Sequence, residues 1–226
     1  MGVTGTTVNE RPDLSVYLVT DAAQAAACGR DVPDTVAAAV AGGVTAVQVR
    51  EKDGDARDFL ATVVRLAAVL PERVALFVND RVDVFLAARA AGARVTGVHV
   101  GQSDLPVAAV RGLVGPDAVI GLSAATEEEL RAAAKEQARV DYVGIGALHA
   151  TRTKADAPPE LGVEGFGRLA LPTPLPAVAI GGVTVPDMPL LRAAGAAGGA
   201  IVSGICAASD PRAAARAYAE AWAGKA

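Results

Sequence analysis

The chain has 226 residues and a net charge of −4, with acidic and basic residues interspersed and without the basic stripe that a nucleic-acid surface needs. Hydrophobic residues make up 52% and aromatics 4%, so the core is built from Ala, Val, Leu and Ile, yet no apolar run is long enough to span a bilayer. Composition therefore argues against nucleic-acid and membrane partners and in favour of one domain with a large core.

Residues 1–12 are polar and Thr-rich and lack the charged-then-apolar pattern of a signal peptide. They read as a flexible tail on a catalytic domain over 13–226, and the protein as cytoplasmic. Cys28 and Cys206 have no metal-ligand spacing and read as reduced thiols. Apolar strand-like runs follow at Val16–Thr20, Ala46–Arg50, Val74–Asn79, Gly97–Val100, Val119–Ser123, Tyr142–Gly146, Ala177–Gly181 and Ala200–Ser203. Ala-rich amphipathic segments lie near 33–42, 55–70, 82–91, 106–114, 126–138, 164–170, 186–194 and 211–222. Continuous apolar strands, each followed by a helix, imply a parallel sheet covered on both faces. Eight such units close most naturally into a single (β/α)8 TIM barrel, with a doubly wound sheet as the alternative.

Polar residues gather where a barrel carries its chemistry, at the C-terminal ends of strands. In the segment Gln48-Val49-Arg50-Glu51-Lys52, strand alternation would aim Gln48, Arg50 and Lys52 the same way, one amide and two cations suited to an anionic ligand. Asn79 and Asp80 end the third run; His99, Gln102 and Asp104 follow the fourth; Ser123 ends the fifth. Asp80 and Asp104 suit Mg²⁺, which takes one or two carboxylates and completes its octahedron with water and phosphate oxygens. Either could instead cap the helix that follows it. His99 reads as a hydrogen-bonded wall histidine. Thr151, Thr153 and Lys154 open the aperiodic stretch 151–162, whose two prolines forbid a helix and whose length suits a lid. Gly181-Gly182 and Ser203-Gly204 let the backbone approach a phosphate closely, or are plain turns.

Taken in order, several motifs together resemble the thiamine phosphate synthase family: Val47-Gln48-Val49-Arg50-Glu51-Lys52, Val78-Asn79-Asp80, Gly97-Val98-His99-Val100, Gly121-Leu122-Ser123, Thr151-Arg152-Thr153-Lys154, Ile180-Gly181-Gly182 and Val202-Ser203. The likeness runs from Tyr17 to Ser203. It implies a (β/α)8 barrel and a reaction that joins 4-amino-2-methyl-5-hydroxymethylpyrimidine diphosphate to a thiazole phosphate, free or carboxylated, releasing diphosphate. By the same likeness, Arg50, Lys52, Ser123 and Lys154 act in catalysis. The pyrimidine diphosphate is held by the segment from Gln48 to Lys52 (Val49 and Glu51 included), Asn79, Ser123 and Lys154, with Tyr17 and His99 near the ring. Asp80 and Asp104 bind Mg²⁺, and Thr151, Thr153, Gly182, Val202 and Ser203 hold the thiazole phosphate. The chain departs from the family in Ala147 after Gly146, in His149 and Arg152 beside the threonines, in Ser103, and in extra residues around 89–96. A thiazole tautomerase relative would need a histidine after the fifth strand, where Ala124-Ala125-Thr126 stands; a binding barrel without turnover would not need the acidic pair.

Overall fold

The computed structural model describes residues 11–52, 54–150 and 160–225. Its strands are β1 (Val16–Val19), β2 (Ala46–Val49), β3 (Ala75–Asn79), β4 (Gly97–Val100), β5 (Val119–Ser123), β6 (Tyr142–Ile145), β7 (Ala177–Ile180) and β8 (Gly198–Ile201). All pair in parallel with their sequence neighbours, and β8 pairs back onto β1 with Gly199 opposite Val16, closing the barrel. The helices are α1 (Ala22–Ala27), α2 (Val32–Gly42), α3 (Ala56–Val69), α4 (Val82–Ala90), α5 (Val107–Val114), α6 (Glu127–Lys135), α7 (Gly162–Ala170), α8 (Asp187–Ala193), α9 (Ser203–Cys206) and α10 (Pro211–Ala223).

Closure splits each strand between two cores, because successive side chains point to opposite faces. Leu18, Val47, Leu76, Val98, Ile120 and Val143 pack outward into one continuous layer with Val36, Phe59, Phe85, Val110 and Phe166 of the helices. Tyr17, Val19, Ala46, Phe77, Val119, Tyr142, Val178 and Ala200 form a separate inner cluster. Half of these helices start on a side-chain cap: Asp21, Asp31, Asp55 and Asp210 each accept from a backbone N–H of the first turn, and Thr126 forms a capping box with Glu129. Cys28 and Cys206 are both free thiols. Among the described residues no helix is long and apolar enough to cross a membrane.

The doubly wound alternative is thus excluded, and three local expectations need correction. β2 stops at Val49, so alternation does not carry to Arg50 and Lys52. The short helices α1 and α9 were not anticipated; six and four residues are too few for a periodicity to register. The last strand lies two residues earlier than expected, Gly198–Ile201, so Ser203 begins a helix and does not end a strand. Gly198-Gly199 looks like a turn in sequence, but tertiary contact needs glycine there: a Cβ on Gly198 would stand 1.7 Å from the Leu14 carbonyl oxygen.

Two glycines should therefore respond oppositely to alanine. Gly198→Ala forces backbone apart at the β1–β8 closure and should cost about 1–3 kcal/mol or more. Gly112, inside α5 with open space around it, should gain up to about 1 kcal/mol as alanine. Urea midpoints at unchanged slope measure both. Equal shifts would contradict the packing described here.

Candidate active site

The C-terminal ends of the strands bring most of the expected residues to one mouth. On β2, Gln48 faces inward, is 4% exposed and donates from Nε2 to the Tyr17 hydroxyl at 3.0 Å. Val49 points the other way into the helix-facing layer, so its side chain is turned from the mouth. Arg50, half-buried just past the strand, is anchored by its backbone: its N–H donates to Thr20 Oγ1 at 3.0 Å. Glu51 is half-buried beside it and Lys52 is exposed in a bend.

Asp80 lies one residue beyond β3 in left-handed backbone, φ 58°, a conformation that short polar side chains tolerate best. Asn79 donates from Nδ2 to its Oδ2 at 2.6 Å. Asp104 approaches across the β4 loop, accepting the Gly101 N–H on Oδ2 at 2.6 Å, and the two carboxyl groups stand within hydrogen-bonding reach of each other. Neither serves as a helix cap: α4 is preceded by Arg81 and α5 by Pro106, both without side-chain capping bonds. Desolvation within the mouth and repulsion from Asp104 push the Asp80 carboxyl up to about 6, with Asn79 and the Arg50 charge pulling the other way. The Asp80 carboxyl therefore keeps its proton to a higher pH than an isolated aspartate would.

On β4, His99 is 8% exposed and bonded at both ring nitrogens, Nδ1 to the Tyr142 hydroxyl and Nε2 to Ser123 Oγ, each at 3.0 Å. Gln102 closes over the end of β5 by donating to the Ser123 carbonyl at 2.7 Å. On the opposite side, Gly181 and Gly182 have φ of 92° and 66°, which glycine alone adopts without strain. Val202 precedes α9 and Ser203 opens it, exposed. A short extra helix after the eighth strand is where barrels of this kind commonly hold phosphate. Thr151, Thr153 and Lys154, with most of the expected lid, lie outside the described residues.

Sequence reasoning passed over two residues. Tyr142, at the start of β6, ties Tyr17 to His99; its signal was available, since alternation about Gly144 aims it inward. Asp187 gave no signal. It is 7% exposed, accepts from Thr184 N and Oγ1 at 2.8 and 2.6 Å, and bonds His149 Nε2 at 3.0 Å. That bond, with Glu160 near the other ring nitrogen, raises the His149 pKa against the opposing effect of desolvation.

Fold and mouth define a (β/α)8 barrel whose polar groups gather at the C-terminal ends of its strands, with two facing carboxylates beside an arginine. Within that class, the chain belongs to the thiamine monophosphate synthase family, whose model matches residues 16–205. It is 47% identical to the thiamine-phosphate synthase of Albidiferax ferrireducens over 199 residues, 88% of this chain and 87% of that one. It is also 47% identical to that of Azorhizobium caulinodans over 205 residues, 90% and 92% of the two chains. The solved thiamine phosphate pyrophosphorylase of Pyrococcus furiosus superposes with a TM-score of 0.81 at 28% identity, covering 95% of this chain and 98% of that one.

The Asp80 environment has a consequence for stability. A carboxyl whose pKa is raised from 3.8 to about 6 binds its proton more tightly in the folded chain, so stability falls as pH rises through that window. Asp80 is open to water on one side, which screens the effect, so the direction is the testable part. Asp80→Asn keeps the left-handed backbone and removes the charge. In chelator, its melting temperature should exceed that of the parent at pH 8, with the gain fading towards pH 4; a loss at pH 8 would refute the repulsive pair.

Proposed function

We propose that this chain is a Mg²⁺-dependent thiamine phosphate synthase, its catalytic unit spanning residues 13–226. It joins 4-amino-2-methyl-5-hydroxymethylpyrimidine diphosphate to the thiazole phosphate, giving thiamine phosphate and diphosphate. The observation that carries the reading is the Asp80–Asp104 pair standing by Arg50 in a barrel of this family. Two carboxylates in contact fit Mg²⁺, which leaves its other positions to water and diphosphate oxygens. Among the described residues no cluster of three or more His, Cys, Asp and Glu could hold a metal by itself, as a zinc site would require.

The chain's own residues have little covalent work to do. The electron-rich aminopyrimidine stabilises a methylene cation as diphosphate leaves, and the thiazole nitrogen captures it. Arg50 and Lys52, with Lys154 by family likeness, offset the charge growing on the leaving group. Bound Mg²⁺ would supply further charge neutralisation at the same oxygens. Gln48, Tyr17 and His99 form the inner wall against which the pyrimidine is oriented, and Asn79 and Ser123 add polar contacts. Gly182, Val202 and Ser203, with Thr151 and Thr153 by likeness, receive the thiazole phosphate opposite. The tautomerase alternative has no histidine after β5 to work with.

Purified protein given both precursors and Mg²⁺ should form thiamine phosphate, read by mass; full activity in excess chelator would remove the metal from the reading. Asp80→Asn should abolish most turnover while remaining folded, and Mg²⁺ with diphosphate should raise the melting temperature of the parent far more than that of the variant. Ser203→Ala should raise the KM for thiazole phosphate about tenfold, as for a lost hydrogen bond to charge, with the pyrimidine KM nearly unchanged. The reverse pattern would exchange the two phosphate corners.

A further inference from the structure

We infer that Tyr142 is a positioning residue which, acting through His99, sets Ser123 as a hydrogen-bond donor into the barrel mouth. The inference rests on the reading above that the pyrimidine diphosphate occupies that mouth. Its basis is an unbroken chain of side-chain hydrogen bonds across the barrel interior: Gln48 Nε2 to Tyr17 Oη at 3.0 Å, Tyr17 Oη to Tyr142 Oη at 2.8 Å, Tyr142 Oη to His99 Nδ1 at 3.0 Å, and His99 Nε2 to Ser123 Oγ at 3.0 Å. Tyr17 and Tyr142 are each 1% exposed, so no solvent is at hand to take a stray proton. Space for the chain is made by glycine: a Cβ on Gly121 would lie 2.2 Å from Tyr142 Cζ and 2.5 Å from His99 Nδ1.

Burial and the Gln48 amide orientation together set the direction of the chain. Gln48 gives an N–H to Tyr17, so the Tyr17 hydroxyl must give its own proton onward or leave it unpaired in the core, at a cost of about 1–3 kcal/mol. Its partner is the Tyr142 oxygen, and the Tyr142 proton then falls to His99 Nδ1. Desolvation holds both phenols well above their usual pKa, so each keeps its proton. His99 thereby carries its hydrogen on Nε2 and donates to Ser123 Oγ, leaving the serine hydroxyl proton to face an anionic oxygen or a ring nitrogen in the mouth. Run backwards, with the Gln48 amide turned, the chain would put the hydrogen on Nδ1 and spend the serine proton on His99. The two orientations differ in which His99 nitrogen is protonated, and that is measurable.

Full-length protein labelled with ¹⁵N-histidine should give long-range ¹H–¹⁵N spectra with His99 as the Nε2–H tautomer, assigned against a His149→Gln sample, since the chain has two histidines. Tyr142→Phe, which keeps the ring, should release that tautomer to a mixture. It should lower kcat about tenfold while changing the pyrimidine KM less than about threefold. In a Ser123→Ala background it should have no additional effect, because both changes delete the same donor. If Tyr142→Phe does not fold, Tyr17→Phe breaks the chain one bond earlier and should shift the tautomer likewise. An Nδ1–H tautomer in the parent, or kcat losses that multiply in the double variant, would overturn the inference. Should the parent make no thiamine phosphate, the proposed reaction falls, while the His99 tautomer still decides the direction of the chain.

Discussion

The bond between the hydroxyls of Tyr17 and Tyr142 joins residues 125 apart in sequence, at the centre of a closed parallel barrel. Much of the rest follows from it. A barrel of eight strands must fill its own interior, and a chain poor in aromatics does so with few large groups. Tyr17, Phe77 and Tyr142 pack with ring centroids 5.6 to 6.0 Å apart, taking up volume that Ala46, Ala200 and the inward glycines leave open. Two phenols placed so deep have to satisfy their hydroxyls on one another and on neighbouring strands, which recruits Gln48 from β2 and His99 from β4. The packing requirement of the core and the polarity of the mouth thus meet in the same side chains.

A second constraint acts above this layer. Asp80 and Asp104 are brought together on adjacent βα loops, where desolvation and the Asp104 carboxylate raise the cost of ionising Asp80. Stability alone would not select that arrangement, since neither carboxylate caps a helix. The left-handed backbone at Asp80 holds the carboxyl in this position. A protein that tolerates such repulsion keeps a place ready for positive charge, in keeping with the diphosphate chemistry proposed for the family member described here.

The Gly181–Gly182 corner is organised differently. His149 donates its backbone N–H to the Gly181 carbonyl at 2.9 Å, so the loops after β6 and β7 are joined through main chain. A Cβ on Gly182 would come within 2.9 Å of His149 Cβ, so the close approach of those loops depends on glycine there. The His149–Asp187 bond then ties the same corner to the start of α8. His149 was visible in the sequence as a departure from the family pattern, but its partner was not: the two are 38 residues apart and meet only when β6 and β7 lie side by side.

Much of the architecture was legible in the sequence because it is written in local pattern. Eight apolar runs separated by amphipathic segments define a parallel α/β barrel, and the polar residues just past those runs mark the mouth, since a strand's end is the same place in sequence as in space. That suffices for Gln48, Asn79, Asp80, Asp104 and Ser123. Local pattern fails where glycine acts as a strand residue, at Gly198-Gly199, and where strand alternation is carried past the last residue of β2 to Lys52. Tertiary structure alone decided that Val49 faces the helices, that Asp80 and Asp104 contact each other and cap nothing, and that Tyr142 connects Tyr17 to His99. Each depends on the register and closure of strands far apart in the chain, and those long-range pairings, not any neighbour in sequence, determine which polar atom finds which partner.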